Sequence, residues 1–449
     1  MIDGATINGS SRECEAFPLR LPVESVNDSL NLQQTMRTRF FTGTLAVLVL
    51  GLAAASADDW PQWRGPNRDG LSKETGLLKE WPPGGPKLLW KSTGMGAGYS
   101  SVSVSKGKIF TAGEADDSSF VLALDANGKK IWSARLGRPG DPDRRGAGPR
   151  CSPSVSDDNI VVALGQYGDL VAVDAADGKE RWRKNVTRDF GGSMMSGWGY
   201  SESPLIDGDR VLCTPGGSKA TIVAVNKNNG EVIWQTTGLS DRAGYSSIVA
   251  ARLGGVPQYV QITDSHVVGL AVDSGKILWR ADRPGQTAVI PTPVVRDDLV
   301  YVTSGYGVGC NLFKVTAKDG AFNVQEVYAN KTMVNHHGGV VLVGDHIYGY
   351  SDRGGWMCQD FKTGEVAWSE RGKLGKGSIV FADGRLFLRS EGGKGTVAMI
   401  EASPSGFHEL GRFDQPDRSD KNSWPHPVVA NGKLFLRDQD VLLCYELKP

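Results

Sequence analysis

The chain has 449 residues with 50 basic and 50 acidic side chains, so its formal net charge is zero. Without an excess of positive charge there is no field to hold a phosphate backbone, and nucleic acid is excluded as an expected partner. Glycine contributes 58 residues, as expected where many short strands end in tight turns. No helical periodicity follows residue 57, so we expect the mature protein to be essentially all β.

An export signal is predicted near the start of the chain. Residues 36–39 are basic, residues 40–55 form an apolar run, and residues 56–57 are small, which are the three parts of a secretory signal. The apolar run is shorter than the ~20 residues that a membrane-spanning helix needs. We therefore expect residues 36–57 to be a signal peptide that directs the protein to the periplasm or the extracellular space. The mature chain is expected to have no transmembrane span.

Residues 1–35 precede this signal, and an internal export signal works poorly. We therefore predict that translation starts at Met36 and that residues 1–35 are a non-native extension. Residues 58–85 are too rich in proline and glycine for regular structure and form an irregular leader. Its Trp60 and Trp63 are expected to pack against the outside of the ring of strands that follows.

One sequence unit recurs along the rest of the chain: an apolar strand end, a polar turn that closes with glycine, and a tryptophan four residues later. In one copy these are Asp174, Gly178 and Trp182. The acidic residue or asparagine opens the turn, glycine takes a positive φ, and strand formers follow, so each copy predicts a β-hairpin. A second hairpin precedes each of them, which gives four antiparallel strands per unit, here called A to D.

Aromatic residues mark the D strands at intervals of 40 to 52 residues: Trp90, Trp132, Trp182, Trp234, Trp279, Tyr328, Trp368 and Phe413. Four strands in each period of roughly 40–50 residues are typical of a β-propeller blade, and eight markers predict eight blades over residues 86–449. The strand at Trp90 lacks its A to C strands, whereas the last three strands lack a D strand. We expect the N-terminal strand to complete the C-terminal blade, because closure removes an exposed sheet edge.

The repeated Asp-x-x-x-Gly-x-x-x-Trp resembles the tryptophan-docking motif of quinoprotein alcohol dehydrogenase-like propellers, over about residues 86–449. That family includes dehydrogenases that use pyrroloquinoline quinone (PQQ) and cofactor-free members such as the outer-membrane barrel-assembly propeller. The resemblance therefore implies the fold and leaves the function open. It also implies that the repeated tryptophans are structural, since they lie on the outermost strand.

Several residue types point to chemistry only weakly. The cysteines after residue 57 lie in different predicted blades, and none is adjacent to another, so we expect small buried side chains. Many PQQ alcohol dehydrogenases have a disulfide between neighbouring cysteines, and this chain lacks such a pair. His336 and His337 are adjacent and point in different directions, so they form a poor metal site, and no metal site is predicted.

Two functions from different classes remain. The first is a binding or scaffold module of the cell envelope, without a cofactor, that holds a peptide, a polysaccharide or a partner protein and acts as a monomer. The second is a PQQ-dependent oxidoreductase for an alcohol or a sugar, which needs Ca²⁺, a carboxylate base and an arginine beside the quinone. Candidates for those roles are Glu202, Asp352, Glu391, Asp438, Asp440 and Arg150. They match no recognisable family pattern, and we favour the binding module.

The meander places all A–B and C–D turns on one face of the ring, the turn face, and all B–C loops and D–A connections on the other, the loop face. The turn face is expected to hold short polar turns. Large aromatic and basic residues fall instead on the connections of the loop face. A connection does not need such side chains in order to turn, so we expect them to have another role. We predict that the ligand-binding site lies there, around the channel mouth, and consists of Arg150, Trp198, Tyr306, His337, Lys376, Trp424 and His426.

Overall fold

The computed structural model describes residues 59–140 and 146–449, which contain eight four-stranded antiparallel blades, one of which gains a fifth, parallel strand from the leader. Two strands precede the first complete sheet: β1 (Leu71–Ser72) and β2 (Leu88–Ser92). The all-β, eight-bladed propeller predicted from the sequence is thus confirmed. The predicted extension, signal peptide and start at Met36 lie outside the described residues.

The first four blades follow one another along the chain. Their strands are β3 (Ser103–Ser105), β4 (Lys108–Ala115), β5 (Ser118–Leu124) and β6 (Lys130–Gly137) in blade 1; β7 (Ser154–Val155), β8 (Ile160–Leu164), β9 (Asp169–Asp174) and β10 (Glu180–Asn185) in blade 2; β11 (Leu205–Asp207), β12 (Arg210–Cys213), β13 (Val223–Asn226) and β14 (Val232–Gln235) in blade 3; and β15 (Val249–Leu253), β16 (Val256–Ile262), β17 (His266–Ala271) and β18 (Ile277–Asp282) in blade 4.

The last four blades continue in the same way, except that the final one takes its outer strand from the start of the chain. Their strands are β19 (Val294–Arg296), β20 (Leu299–Ser304), β21 (Gly309–Lys318) and β22 (Ala321–Asn330) in blade 5; β23 (Val340–Val343), β24 (His346–Ser351), β25 (Gly355–Asp360) and β26 (Val366–Glu370) in blade 6; β27 (Gly377–Ala382), β28 (Arg385–Ser390), β29 (Val397–Glu401) and β30 (Glu409–Phe413) in blade 7; and β31 (Val428–Ala430), β32 (Lys433–Asp438), β33 (Val441–Glu446) and β2 in blade 8.

Blade 8 closes the ring. Strand β2 pairs antiparallel with β33, with Trp90 opposite Cys444 and Ser92 opposite Leu442. The first strand of the propeller therefore protects the edge that the last strand would expose. The predicted closure is confirmed.

A short helix, α1 (Val186–Phe190), follows blade 2 and was not predicted. The Asn185 side chain accepts a hydrogen bond from the backbone N–H of Arg188, and Gly191 ends the helix in the left-handed region with φ 67°. Five residues are too few for a periodic apolar pattern, so only these capping residues signal the helix in the sequence.

The repeated tryptophans dock each blade on the next. Trp132 of blade 1 donates its indole N–H to the carbonyl of Ala175 in the blade 2 turn at 3.2 Å, and Trp182 donates to Lys227 of blade 3 at 2.7 Å. A β-carbon on Gly178 would lie 2.6 Å from the Trp132 ring. The glycine of the motif therefore supplies both the positive φ of the turn and the space for the preceding tryptophan.

Trp279 departs from this pattern. The last two strands of blade 5 are ten residues long, which moves their turn beyond the reach of Trp279. The indole N–H donates instead to Oε1 of Gln258 in its own blade at 2.6 Å. A buried indole N–H needs an acceptor, and a glutamine side chain replaces the missing turn carbonyl.

The leader corrects one prediction: Trp60 and Trp63 lie inside the ring. Trp60 is 3% exposed and bridges the inner strand of blade 1 at Val104. Trp63 donates its indole N–H to Oγ1 of Thr292 at 3.0 Å, and its ring lies 4.5 Å from that of His426. From the sequence we could expect both tryptophans to pack against the ring. It did not show that the inner strands have unpaired edges, which the leader covers.

The leader enters and leaves the channel on the turn face. It begins beside the first A–B turn, where Asp59 accepts from the backbone N–H of Lys106 at 3.0 Å. It turns back within the channel, pairs in parallel with β27 through β1, and leaves where the backbone N–H of Leu77 donates to Asp383 at 2.9 Å. The leader therefore closes the channel from the turn face.

Two buried arginines hold the leader to the inner strands. Arg64 donates to the carbonyl oxygens of Asp69, 2.8 Å away, and Val340, and Arg68 donates to those of Ser203 and Pro204, the latter at 3.0 Å. Both side chains are buried, and burial lowers the pKa of each to about 10. They remain charged at neutral pH, so their carbonyl partners supply the solvation that water cannot.

The described cysteines agree with their predicted structural role, since all of them are buried and unbridged. Among the described residues, no helix has the length and apolar character required to cross a membrane.

Candidate functional site at the channel mouth

Loops that precede the inner strands, together with three B–C loops, bring twelve side chains together on the loop face. We call them the mouth cluster: Tyr99, Arg150, Trp198, Tyr245, Tyr306, His336, His337, Asp352, Lys376, Glu391, Trp424 and His426. All seven predicted binding residues belong to it. The contacts described next join them through rings, hydrogen bonds and ion pairs, whereas their role in binding stays a prediction.

One half of the cluster is a chain of four polar groups. Lys376 Nζ lies 2.9 Å from a carboxylate oxygen of Asp352 and also hydrogen-bonds Nδ1 of His336. Nε2 of His336 lies 2.9 Å from the hydroxyl of Tyr306. Because an ammonium only donates, Nδ1 accepts, and a neutral His336 carries its proton on Nε2 and donates to Tyr306. The hydroxyl hydrogen of Tyr306 then points to solvent or a ligand.

The other half centres on Glu391. Its Oε2 atom lies 2.8 Å from Nε2 of His337 and accepts from the indole N–H of Trp424, also at 2.8 Å. His426 lies beneath them and contacts the carbonyl of His337 through Nε2 at 3.0 Å. The His426 ring also contacts the ring of Trp63 in the leader. The leader therefore forms the floor of the mouth.

Arg150 connects the remaining aromatic residues. Its guanidinium donates to the carbonyls of Trp198, at 2.7 Å, and Gly146, and lies 5.6 Å from the centre of the Tyr99 ring. Tyr99 in turn stacks on Trp424, with ring centres 4.5 Å apart. The arginine is therefore fixed in position by carbonyls and an aromatic face.

Burial shifts several pKa values in the cluster. Desolvation, with the nearby charge of Lys376, lowers the pKa of His336 to about 4. The pKa of His337 also falls well below its usual range, mainly through burial, and the pKa of Glu391 is raised by burial. For His426, burial and the neighbouring guanidinium of Arg64 lower the pKa to about 3. The three histidines are thus neutral at pH 7.

These histidines predict that the protein loses stability in acid. A depressed histidine pKa means that the folded state binds fewer protons than the unfolded state between the two pKa values. For His426 that window runs from about pH 6.5 down to about 3. Stability is therefore fully present above pH 6.5 and falls as the pH drops, by up to about 1.4 kcal/mol per pH unit for this residue. Urea unfolding between pH 7 and 4.5 measures the slope.

A His426→Gln variant is the matched comparison, because glutamine retains a donor for the His337 carbonyl and does not titrate. Its stability should depend less steeply on pH than that of the wild type. Glu202 acts in the opposite direction: burial raises its pKa to about 7, so its contribution grows on acidification from pH 7. Identical slopes for variant and wild type would show that the pKa of His426 is not lowered in the folded protein, because unfolding would then cause no uptake of a proton by this residue.

The mouth does not fit PQQ with Ca²⁺. Among the described residues, no group of three or more histidine, cysteine or carboxylate side chains converges on one point. The carboxylates considered for that role are separated and engaged: Glu202 accepts from Thr214, and Asp438 is bound by Arg418. Asp440 accepts from the backbone of Gly94 and Gly96. The leader also occupies the channel beneath the mouth, so we derive no reaction step through a quinone.

Several contributors to the mouth were not among the seven residues assigned to it from the sequence, and Glu391 and Trp63 are two of them. Glu391 was considered only as a possible ligand of a cofactor metal, and its contacts with His337 and Trp424 join residues far apart in the chain. Trp63 was placed on the outside. The sequence does mark Glu391, because it is a carboxylate followed by Gly392 and Gly393 in a short B–C loop. No residue of the leader indicates that the leader lies inside the ring.

Comparison with known proteins agrees with the eight-bladed propeller fold. A family model described as outer membrane protein assembly factor BamB matches residues 117–370. No curated protein sequence matches the chain. Many solved structures share its fold, and three of them show its range. BamB from Moraxella catarrhalis is 16% identical, with a TM-score of 0.57 over 81% of this chain and 98% of that one.

The other two are of different kinds. The quinohemoprotein alcohol dehydrogenase from Comamonas testosteroni is 11% identical, with a TM-score of 0.59 over 87% of this chain and 80% of that one. The computationally designed Ika8 protein is 12% identical, with a TM-score of 0.52 over 81% of this chain and 100% of that one. At such identities the likeness shows the fold alone. The family match is of a different weight: it spans more than half of the chain, and the protein belongs to the family of PQQ-like propellers described as outer membrane protein assembly factor BamB.

Proposed function

We propose that the protein is an exported binding or scaffold module of the cell envelope that holds a peptide, a polysaccharide or a partner protein at the mouth cluster and acts as a monomer. The observation that carries the proposal is the cluster itself: aromatic and charged side chains from different blades converge at the end of the channel opposite to the one where the leader enters and leaves. The predicted signal peptide supports export. The description of the family, an outer membrane assembly factor, supports a site of action in the envelope.

The mouth residues do more than fill space. The Tyr306 side chain is exposed, at 39%, and Arg150, Trp198, Lys376 and Trp424 are only partly buried. Holding two acids, two bases and several rings together costs side-chain entropy and desolvation, and the fold itself does not require it. Polar and aromatic residues on loops above a rigid scaffold are typical of a binding site.

The proposal predicts that two substitutions abolish retention of the ligand. The wild-type protein, immobilised through its C terminus, and an Arg150→Ala/Trp424→Ala variant are incubated with a detergent extract of the cell envelope. We expect the variant to retain at least ten times less of what the wild type retains, because it loses one anchoring charge and one large aromatic surface. Quantitative mass spectrometry and total sugar analysis of the eluates measure the difference.

The control variant carries Lys129→Ala and Lys362→Ala, two exposed lysines in C–D turns on the turn face. It loses two positive charges, one more than the mouth variant, and should bind like the wild type. Circular dichroism and melting confirm that each variant is folded. If the mouth variant is folded and retains the same material in the same amount, the mouth is not the binding site.

The same proteins test the alternative of a PQQ-dependent oxidoreductase. PQQ and Ca²⁺ are added together, and melting and dye reduction are followed with alcohols and sugars. We expect neither a saturable rise in melting temperature nor turnover, because no three histidine, cysteine or carboxylate side chains of the described mouth converge on one point and the leader lies in the channel beneath it. Turnover that depends on both additions would replace the binding proposal with the enzyme.

A further inference from the structure

A cleft between blades 6 and 7 continues outward from the mouth cluster on the loop face. It has a volume of about 440 Å³ and is lined by Lys376, Glu391, Gly392, Gly393, Lys394 and Arg412, among others. Lys376 and Glu391 belong to both the mouth and the cleft. The volume lies within the roughly 300–1,000 Å³ of small-ligand sites. Mouth and cleft therefore form one continuous surface for an extended ligand.

Each positive charge along the cleft has a negative partner. Lys373 pairs with Glu370, Lys394 with Asp414, and Arg412 with Glu409, all with nitrogen to oxygen distances of 3.5 Å or less. Within the mouth cluster, Lys376 pairs with Asp352, while the charges of Arg150 and Glu391 balance each other in number without forming a pair. A charged ligand in the cleft would have to break existing pairs, whereas a neutral ligand meets no net charge and leaves these pairs intact.

Donors and acceptors alternate over a short distance at the mouth. One oxygen of Asp352 and one of Glu391 have no protein partner within residues 59–140 and 146–449, so both are free acceptors. Lys376 uses two of its three hydrogens on Asp352 and His336, and the Tyr306 hydroxyl hydrogen is unused. A hydroxyl both donates and accepts, so a ligand with neighbouring hydroxyls satisfies such a mixed array without a charge of its own.

An aromatic wall stands beside these polar groups. Trp424 is partly exposed, stacks on Tyr99, and has its indole N–H fixed by Glu391. Its orientation is therefore set before a ligand arrives, which lowers the entropy cost of binding. An extended peptide would instead seek an unpaired strand edge, and the mouth offers side-chain tips of loops rather than a strand.

From these four observations we infer that the mouth and the cleft between blades 6 and 7 bind a neutral oligosaccharide segment, with its hydroxyls on Asp352, Lys376, Glu391 and Tyr306 and an apolar sugar face on Trp424. The inference rests on the proposed function and specifies its ligand. Among a sugar, a carboxylate and a quinone, the paired charges favour the sugar.

The test is a glycan array of neutral and uronate-containing oligosaccharides, followed by calorimetry with the neutral tetrasaccharide that is retained most. The probes are wild type, Gly392→Phe and Gly392→Ala. A β-carbon on Gly392 meets no atom within 4 Å, and the backbone there is outside the left-handed region, so both substitutions are tolerated. We expect phenylalanine, which fills the cleft, to weaken binding at least tenfold, and alanine, which leaves it open, to change it less than twofold.

Three outcomes overturn the inference: no neutral glycan is retained, a uronate binds more tightly than every neutral glycan, or Gly392→Phe binds like the wild type. The proposed function fails separately. If no glycan binds but envelope material is still retained in a way that depends on Arg150 and Trp424, the ligand class is wrong and the binding module stands. If neither glycan nor envelope material depends on the mouth, both are wrong.

Discussion

A chain that begins at Pro86, without residues 59–85, is expected to lose most of its stability or to fail to fold. The leader buries Trp60, Leu77 and Trp81, which are 3, 3 and 7% exposed. Burial of each side chain stabilises the fold by about 1.5–3 kcal/mol. Their sum is comparable with the ~5–15 kcal/mol that separates folded and unfolded proteins. Size-exclusion chromatography and urea unfolding, against a chain that begins at Asp59, measure the loss.

Addition of a peptide of residues 59–85 to the truncated protein is the control. Because the leader enters and leaves the channel on the same face, the peptide needs no threading past strand β2, and it should restore part of the lost stability at micromolar to millimolar concentration. An Arg64→Met/Arg68→Met peptide should restore less. A truncated protein that melts within about 3 °C of the full one, a shift worth less than ~2.5 kcal/mol for a chain of this length, would show that the leader contributes little to stability.

The ring itself was predictable because its determinants are local and repeated. Each unit needs a turn opener such as Asp174, a glycine such as Gly178, and an aromatic residue on the following strand. The structure explains why these three occur together: the aromatic residue of one blade packs on the glycine turn of the next. The local sequence pattern therefore includes the residues that join neighbouring blades, and the number of its copies gives the number of blades.

The leader could not be placed by the same reasoning. It carries no repeat, and its partners, such as Val104, Thr292 and Val340, are spread over the chain. Two buried tryptophans fit any concave apolar surface, inside or outside the ring. Only the shape of the closed ring, whose inner strands each offer an unpaired edge, decides for the channel.

The mouth was predictable in composition and not in connectivity. Strand direction alone placed Trp424 and His337 on the same face. Their common partner, Glu391, comes from a third loop, and its hydrogen bonds depend on side-chain rotamers that a blade alignment does not contain. The sequence therefore indicated which residues gather and left open which of them touch.

Among the proposed single substitutions, we expect Arg437→Met to be the most destabilising, with a loss of about 3–5 kcal/mol in the free energy of unfolding. Arg437 lies in blade 8, is 1% exposed, and donates to Thr111 and to the carbonyl of Ala112 in blade 1. Its second terminal nitrogen donates to the carbonyl of Gly96 at 3.1 Å. The side chain thus connects the last blade to the first at the ring closure, where the chain itself crosses between β2 and β3.

Two effects compete in this substitution. Burial lowers the pKa of Arg437 to about 9, which shows that its charge is costly to bury, and methionine removes that cost. The carbonyl groups of Ala112 and Gly96, however, belong to the backbone and cannot be removed, so methionine leaves them buried without donors. Unsatisfied buried carbonyls cost about 1–3 kcal/mol each, so we expect the lost hydrogen bonds to outweigh the relief of burying the charge.

The control is Arg181→Met, where a partly exposed pair with Asp174 at 2.8 Å should contribute less than ~1 kcal/mol. Urea unfolding of both variants measures the difference, and an Arg437→Met protein as stable as the wild type would mean that desolvation of the guanidinium cancels all of its hydrogen bonds across the closure.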